Sequence, residues 1–315
     1  MKIGFIGLGR MGGGMAANIV QSGQDVTVFD VFEPAMLPFA DQGVAVAGSI
    51  GELAAGSDVI FTSLPGPVQV EDAVRGVGGI LENAREGTVF FDLSSNSRET
   101  VTRLHKQLAG RGISMLDAPV SGGPAGAASG NLVLWAGGDK EAFELHESVL
   151  QSFASAPRYV GAIGAGTVTK LSHNLLGNMI FASIAEVFTL AVKAGLDPLD
   201  LWEALQFGVV GKARPLDHAV KQFLPNQYEP PSMQLKLGHK DVGLAVRMGK
   251  ELGVPMRLAN LVHEEISEAV GRGFGDLDSR SFMKLQVERS GVDIAVDPER
   301  LRAAVDQATR YHQGQ

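Results

Sequence analysis

The chain has 315 residues, no cysteine and a formal net charge of −8, with 45% hydrophobic and 20% charged residues. That length accommodates two domains and a sizeable core in an ordinary globular protein. The acidic balance speaks against the broad basic footprint of a nucleic-acid binder, and the missing cysteine removes disulfides, thiolate nucleophiles and cysteine metal sites together, so any redox chemistry rests on a bound cofactor.

The first apolar run, Ile3 to Ile6, reads as a strand and leads directly into Gly7-Leu8-Gly9-Arg10-Met11-Gly12. Gly7, Gly9 and Gly12 fit the G-x-G-x-x-G spacing, in which the glycines allow a tight turn, backbone approach to a pyrophosphate, and close packing of helix on strand. Met11, Met15, Ala16 and Ile19 follow at helical spacing, which aims the unpaired N–H groups of a helix start at the phosphates. The next run, Val26 to Phe29, alternates as a strand and ends in Asp30, about twenty residues past the glycines, where an acid accepts hydrogen bonds from the adenosine ribose. A carboxylate there repels the extra phosphate of NADP. No Lys or Arg follows from Val31 to Leu37, and Glu33 adds negative charge, so NAD is favoured over NADP; Arg10 is the local cation that can pair with a phosphate.

Strand-like runs continue at 59–64, 89–93, 113–117 and 132–136, alternating with helical segments to about residue 162. Several are apolar without alternation, as strands covered on both faces should be. The expected fold is α/β, an N-terminal Rossmann-like doubly wound and mainly parallel sheet. Its crevice lies at the carboxyl ends of the strands, where Ser63-Leu64-Pro65 and Asp92-Leu93-Ser94-Ser95-Asn96 fall. After Gly164-Ala165-Gly166 a long helix is expected over about 167–193, stopped by Gly195. Helical patterns follow at 198–207, 235–252, 257–272 and 298–310. The division is thus 1–162 for dinucleotide binding and 163–315 for an all-helical domain. The apolar stretch from Leu175 to Val192 is interrupted by Asn178, Ser183, Glu186 and Thr189, so no membrane span is expected, and with no signal-peptide pattern at the start the protein is expected to be cytoplasmic.

Two places carry chemistry. Lys170, Asn174 and Asn178 share one stripe of the long helix at i, i+4 and i+8. A lysine desolvated beside a cationic nicotinamide has its pKa pushed down and exchanges protons near neutral pH; spacing alone equally allows a solvated lysine on an amphipathic helix. The loop Asp117-Ala118-Pro119-Val120-Ser121-Gly122-Gly123-Pro124 is rich in backbone N–H groups and resembles an anion nest, with Ser121, Gly122 and Gly123 suited to a carboxylate; a Gly/Pro turn without ligand is the plainer reading. The scattered histidines form no H-E-x-x-H pair, so no metal site is expected, and there is no G-x-S-x-G elbow.

Taken in order, Gly7 to Gly12, Asp117 to Gly123, Gly164 to Asn174, and Lys240-Asp241-Val242-Gly243-Leu244-Ala245 make the chain resemble the β-hydroxyacid dehydrogenase family, the group of 3-hydroxyisobutyrate dehydrogenase and tartronate semialdehyde reductase. The motifs span residues 1 to about 290. The resemblance implies NAD(P)-linked hydride transfer on a small anionic 3-hydroxy acid or its semialdehyde. It makes Lys170 the general acid/base, Asn174 a substrate-orienting group, Ser121, Gly122 and Gly123 the carboxylate site, and Lys240 a closure over nicotinamide and substrate, with Asp241 nearby. Cofactor contacts are then expected from Gly7, Leu8, Gly9, Arg10, Met11, Gly12, Asp30, Leu64, Pro65, Ser95 and Lys240, and a homodimer or homotetramer through the helical domain. Two positions depart from the family pattern: His173, where Asn is frequent, and Ser94-Ser95-Asn96 in place of a Ser-Thr pair. His173 reads first as a packed or exposed helix histidine and second as a pH-sensitive substrate contact. Lys212 and Arg214 read as solvated or structural before they read as a second anion site. The competing assignments are an imine reductase on the same scaffold, whose members generally lack the lysine that this chain carries as Lys170, and a non-catalytic dinucleotide-binding module. A 6-phosphogluconate dehydrogenase is disfavoured by length.

Overall fold

The computed structural model describes residues 1–212, 219–291 and 293–313. Its strands are β1 (Lys2–Ile6), β2 (Asp25–Phe29), β3 (Ala45–Val46), β4 (Val59–Thr62), β5 (Val89–Asp92), β6 (Ser114–Asp117), β7 (Val120–Ser121), β8 (Leu132–Gly137) and β9 (Ala154–Gly161). In the same N-terminal part lie helices α1 (Gly12–Gln21), α2 (Leu37–Ala40), α3 (Ile50–Gly56), α4 (Pro67–Arg75), α5 (Ile80–Asn83), α6 (Arg98–Ala109), α7 (Gly123–Ser129), α8 (Lys140–Leu145) and α9 (Glu147–Phe153). The sheet runs β3-β2-β1-β4-β5-β6-β8-β7, with β9 paired to β8. The strands from β3 to β6 are all parallel, β8 lies antiparallel to β6, and β9 runs parallel to β8. This is the doubly wound, mainly parallel sheet that the sequence suggests. Strand order reverses at β1, which pairs with both β2 and β4, so the ligand crevice of such a sheet opens at the carboxyl ends of β1 and β4.

Two apolar layers hold the sheet because successive residues of a strand face opposite sides. Phe5, Phe61, Phe91 and Leu116 point to the face covered by α1 and α9, where Met15, Ile19, Leu150 and Phe153 are buried. Ile6, Ile60, Phe90 and Met115 point to the other, against Leu53, Val70, Val74, Val101 and Leu104 of α3, α4 and α6. Phe61 stacks on Phe91 at 5.2 Å between centroids and meets Phe153 edge-on at 6.0 Å. Each such fully buried side chain contributes roughly 1.5–3 kcal/mol.

The helical part comprises α10 (Ala165–Lys193), α11 (Pro198–Phe207), α12 (Val209–Lys212), α13 (Leu235–Leu252), α14 (Arg257–Gly271), α15 (Met283–Ser290) and α16 (Pro298–Gln313). The anticipated stop of the long helix is present: Gly195 has φ +98° and its N–H bonds the Val192 carbonyl. The chain divides into two compact units, Met1–Leu176 and Gly177–Gln315. In the second unit Leu235, Ile266, Ala269 and Leu285 form one small core and Leu190, Val254 and Met256 another. The Glu186 carboxylate accepts the N–H groups of Leu258 (2.7 Å) and Ala259 (3.2 Å), tying α10 to the start of α14. By length and composition α10 passes for a membrane span, with a mean hydropathy of 1.8 over its most apolar window. The core helix of a soluble protein meets the same criteria, and Asn178, Ser183, Glu186 and Thr189 interrupt this one.

Candidate active site

The turn after β1 is shaped by three glycines with separate constraints. Gly7 sits at φ +94°, and a Cβ there would lie 2.4 Å from the Ser63 carbonyl oxygen. A Cβ on Gly12 would lie 1.8 Å from the Gly7 carbonyl oxygen, so helix α1 starts against the turn only because that atom is missing. At Gly9 a Cβ would meet nothing within 4 Å. No neighbour within the protein demands glycine at that position, which instead leaves open space for something laid against the backbone. That is the shape a pyrophosphate needs.

The cavity in front of this turn measures about 610 Å³. Gly7, Gly9, Arg10, Met11 and Gly12 line it from the turn, Asp30 and Val31 from the end of β2, and Ser63, Leu64 and Pro65 from the end of β4. Asp30 is half-buried, and its Oδ2 accepts the Leu8 N–H at 2.6 Å while Oδ1 accepts the Phe32 N–H at 2.8 Å. Each carboxylate oxygen retains a lone pair for a ribose hydroxyl. The Leu8 side chain belongs to the core, so it contributes through its backbone. Ser95 is exposed on the loop after β5 and does not line this cavity.

Sequence reasoning missed the far wall, where Ile50 of α3 and Gln69, Asp72 and Ala73 of α4 complete the lining. The available signal was Pro65-Gly66-Pro67 at the end of β4, since Pro67 opens α4 beside the crevice. Behind the β4 and β5 ends lies the buried Asp92. Its carboxylate accepts the Thr62 hydroxyl (3.0 Å), the Ser94 N–H (3.0 Å) and the Asn96 amide (2.8 Å), while burial pushes the carboxyl up from its ordinary range. The Ser94 hydroxyl in turn accepts the Leu64 N–H at 2.9 Å, fixing the wall of the cavity.

Asp117, at the end of β6, sets where α10 begins. Its Oδ1 accepts the Gly164 N–H at 2.7 Å and its Oδ2 the Thr167 N–H at 2.6 Å. Burial raises this carboxyl despite the two donors. The Gly164-Ala165-Gly166 passage is the space that this approach requires, because a Cβ on Gly166 would lie 2.4 Å from the Asp117 carbonyl oxygen. Lys170 stands one turn further on, half-buried, and burial holds its ammonium below the usual lysine range.

The Ser121-Gly122-Gly123 loop is brought to that same helix. The Ser121 hydroxyl oxygen lies 3.2 Å from His173 Nε2, and the imidazole packs on Trp135 of β8 with ring centroids 5.3 Å apart. Because residues i, i+3 and i+4 share a helical face, Lys170, His173 and Asn174 present one stripe to the loop side. Gly122 and Gly123 both have positive φ, +137° and +66°. Asn174 and Asn178 are exposed on the helix surface. In the second unit, Lys240 is exposed on α13 with Nζ 3.2 Å from Asp241. Arg214 lies outside the described residues, and Lys212 ends α12.

A glycine-lined cavity at the switch point of a doubly wound parallel sheet is the architecture of a dinucleotide-binding protein. Comparison with known proteins narrows this. Residues 2–164 match a family model described as the NAD binding domain of 6-phosphogluconate dehydrogenase, and residues 164–286 match one described as NAD-binding of NADP-dependent 3-hydroxyisobutyrate dehydrogenase. The chain is 35% identical over 295 residues to the 2-(hydroxymethyl)glutarate dehydrogenase of Eubacterium barkeri, covering 94% of this chain and 98% of that protein. The structure of 3-hydroxyisobutyrate dehydrogenase from Mycobacterium tuberculosis with L-serine is 31% identical, with a TM-score of 0.63 over 90% of this chain and 98% of that one. An imine reductase from Pseudomonas sp. has the same fold at 21% identity, TM-score 0.74, over 90% and 98% of the two chains. The chain belongs to the β-hydroxyacid dehydrogenase family; it is an oxidoreductase that binds NAD and acts on a small hydroxy acid.

Proposed function

We propose that the protein interconverts a small 3-hydroxy acid and its semialdehyde, of the size of 3-hydroxyisobutyrate or 2-hydroxy-3-oxopropanoate, with Lys170 as general acid/base and NAD preferred to NADP. The observation that carries this is the placement of Lys170. It is half-buried, its ammonium is destabilised by burial, and it shares a helix face with a residue hydrogen-bonded to the Ser121 loop. When bound, the dinucleotide supplies the hydride acceptor or donor. In oxidation neutral Lys170 takes the proton of the substrate hydroxyl; in reduction its ammonium returns a proton to the carbonyl oxygen. Ser121, Gly122 and Gly123 hold the substrate carboxylate, and Asn174 orients the hydroxyl. The Asp30 carboxylate and the lack of any Lys or Arg from Val31 to Leu37 support NAD. Homo-oligomerisation through the helical part is supported by the exposed apolar residues of α10, among them Leu175, Met179 and Val187.

The test is turnover of a panel of short 3-hydroxy acids with NAD or NADP, and of their semialdehydes with the reduced forms, followed by nicotinamide absorbance. NAD-linked turnover of a panel member supports the reading. Dinucleotide binding with no turnover of any member, but reduction of cyclic imines, would replace it with the imine reductase assignment.

A further inference from the structure

The structure gives His173 a specific contact. Its Nε2 is 3.2 Å from the Ser121 oxygen, on a side chain 52 residues away in sequence, and its ring is held against Trp135. A serine hydroxyl has one proton to donate. If Ser121 spends that proton on an imidazole acceptor, only lone pairs are left to face an anion. If the imidazole donates from Nε2, the Ser121 proton is free for a carboxylate oxygen. An anion beside Ser121 selects the second arrangement, because charge-assisted donors are about twice as strong as neutral ones.

We propose that His173 is a positioning residue for the substrate carboxylate, donating from Nε2 to Ser121 so that the Ser121 hydroxyl donates onward to the anion. The inference rests on the proposed role of Ser121 and deepens it. Trp135 serves to fix the ring so that Nε2 rather than Nδ1 faces the serine. Such a donor polarises the Ser121 hydroxyl toward the anion and favours substrates whose acid group lies directly against Ser121.

The test is the steady-state kinetics of His173→Phe, His173→Gln and Ser121→Ala, singly and with Ser121→Ala combined with His173→Phe, using the best hydroxy acid of the panel and its carboxamide. Phenylalanine keeps the packing on Trp135 and removes the donor; glutamine places an amide N–H near the position of Nε2. The expected result is a KM for the acid raised roughly 3- to 10-fold in His173→Phe, as for loss of a hydrogen bond between neutral groups. The KM for NAD, the melting temperature and the KM for the carboxamide should stay unchanged, and His173→Gln should recover most of the loss. On the Ser121→Ala background the phenylalanine should add nothing, since the effect travels through that hydroxyl. Equal losses for acid and carboxamide, or additive losses in the double variant, would overturn the inference while leaving the role of Ser121 standing. An unchanged KM in Ser121→Ala would instead overturn the carboxylate site, and this inference with it.

Discussion

Replacing Gly9 by alanine separates a ligand-binding glycine from a structural one, because the three glycines of the turn differ in what surrounds them. A Cβ at Gly9 meets no atom within 4 Å and the residue has no left-handed φ, so alanine fits the folded protein without strain. A Cβ at Gly12 would fall 1.8 Å from the Gly7 carbonyl oxygen, well inside contact distance, and backbone atoms on both sides would have to move. Forced displacement of this kind costs about 1–3 kcal/mol, while a surface alanine away from special backbone geometry changes stability by about 0.5 kcal/mol or less. Urea unfolding should therefore show Gly9→Ala at the unmodified midpoint and Gly12→Ala clearly below it. Titration with NAD should show the reverse emphasis. The alanine methyl would project into the open space where the pyrophosphate is proposed to lie, and the dissociation constant should rise about tenfold or more, equivalent to about 1.4 kcal/mol. Unchanged NAD affinity in a fully folded Gly9→Ala protein would refute the placement of the cofactor on this turn.

Two further substitutions address the anchors of the site. Asp117→Asn keeps one acceptor for the two N–H groups at the start of α10 and turns an amide NH₂ toward the other. It should cost about 1–3 kcal/mol in denaturant unfolding and lower turnover by loosening the segment that holds Lys170; an unchanged midpoint would show that the carboxylate does not fix the helix start. Asp30→Ala removes the carboxylate that accepts the Leu8 N–H and that is proposed to accept the ribose hydroxyls. The ratio of kcat/KM for NAD over that for NADP should fall about tenfold or more, and an unchanged ratio would assign cofactor choice to another residue.

The features legible in the sequence are those written locally. The glycine spacing, the acid at the end of β2 and the periodicity of the helices from Pro198 onward are short-range patterns, and they fall where the structure has them. The same holds for Gly195, which needs only its own helix end. Strand β9 was missed because it contains Pro157 and pairs only along one edge, conditions under which composition ceases to mark a strand. Strands β3 and β7 are two residues each and exist only through their partners, while α15 is an eight-residue polar helix with little periodicity to detect. The site itself depends on contacts across the chain. Asp117 reaches residues 47 and 50 positions away, and Ser121 meets His173 across 52. No local signal encodes such pairings, so Asp117 stood in the sequence as part of a turn, and His173 as a helix histidine with no assigned partner.

The central claim, that Lys170 exchanges the substrate proton, is tested most directly by the pH dependence of kcat/KM in both directions. Oxidation needs the neutral amine and reduction the ammonium. Since burial lowers the pKa of Lys170, oxidation should rise and reduction fall through a common midpoint below the usual lysine range. In Lys170→Ala both profiles should lose that ionisation and turnover should drop by about two to four orders of magnitude, with NAD still bound. The same midpoint surviving in Lys170→Ala, or turnover within a few-fold of the unmodified enzyme, would contradict the assignment.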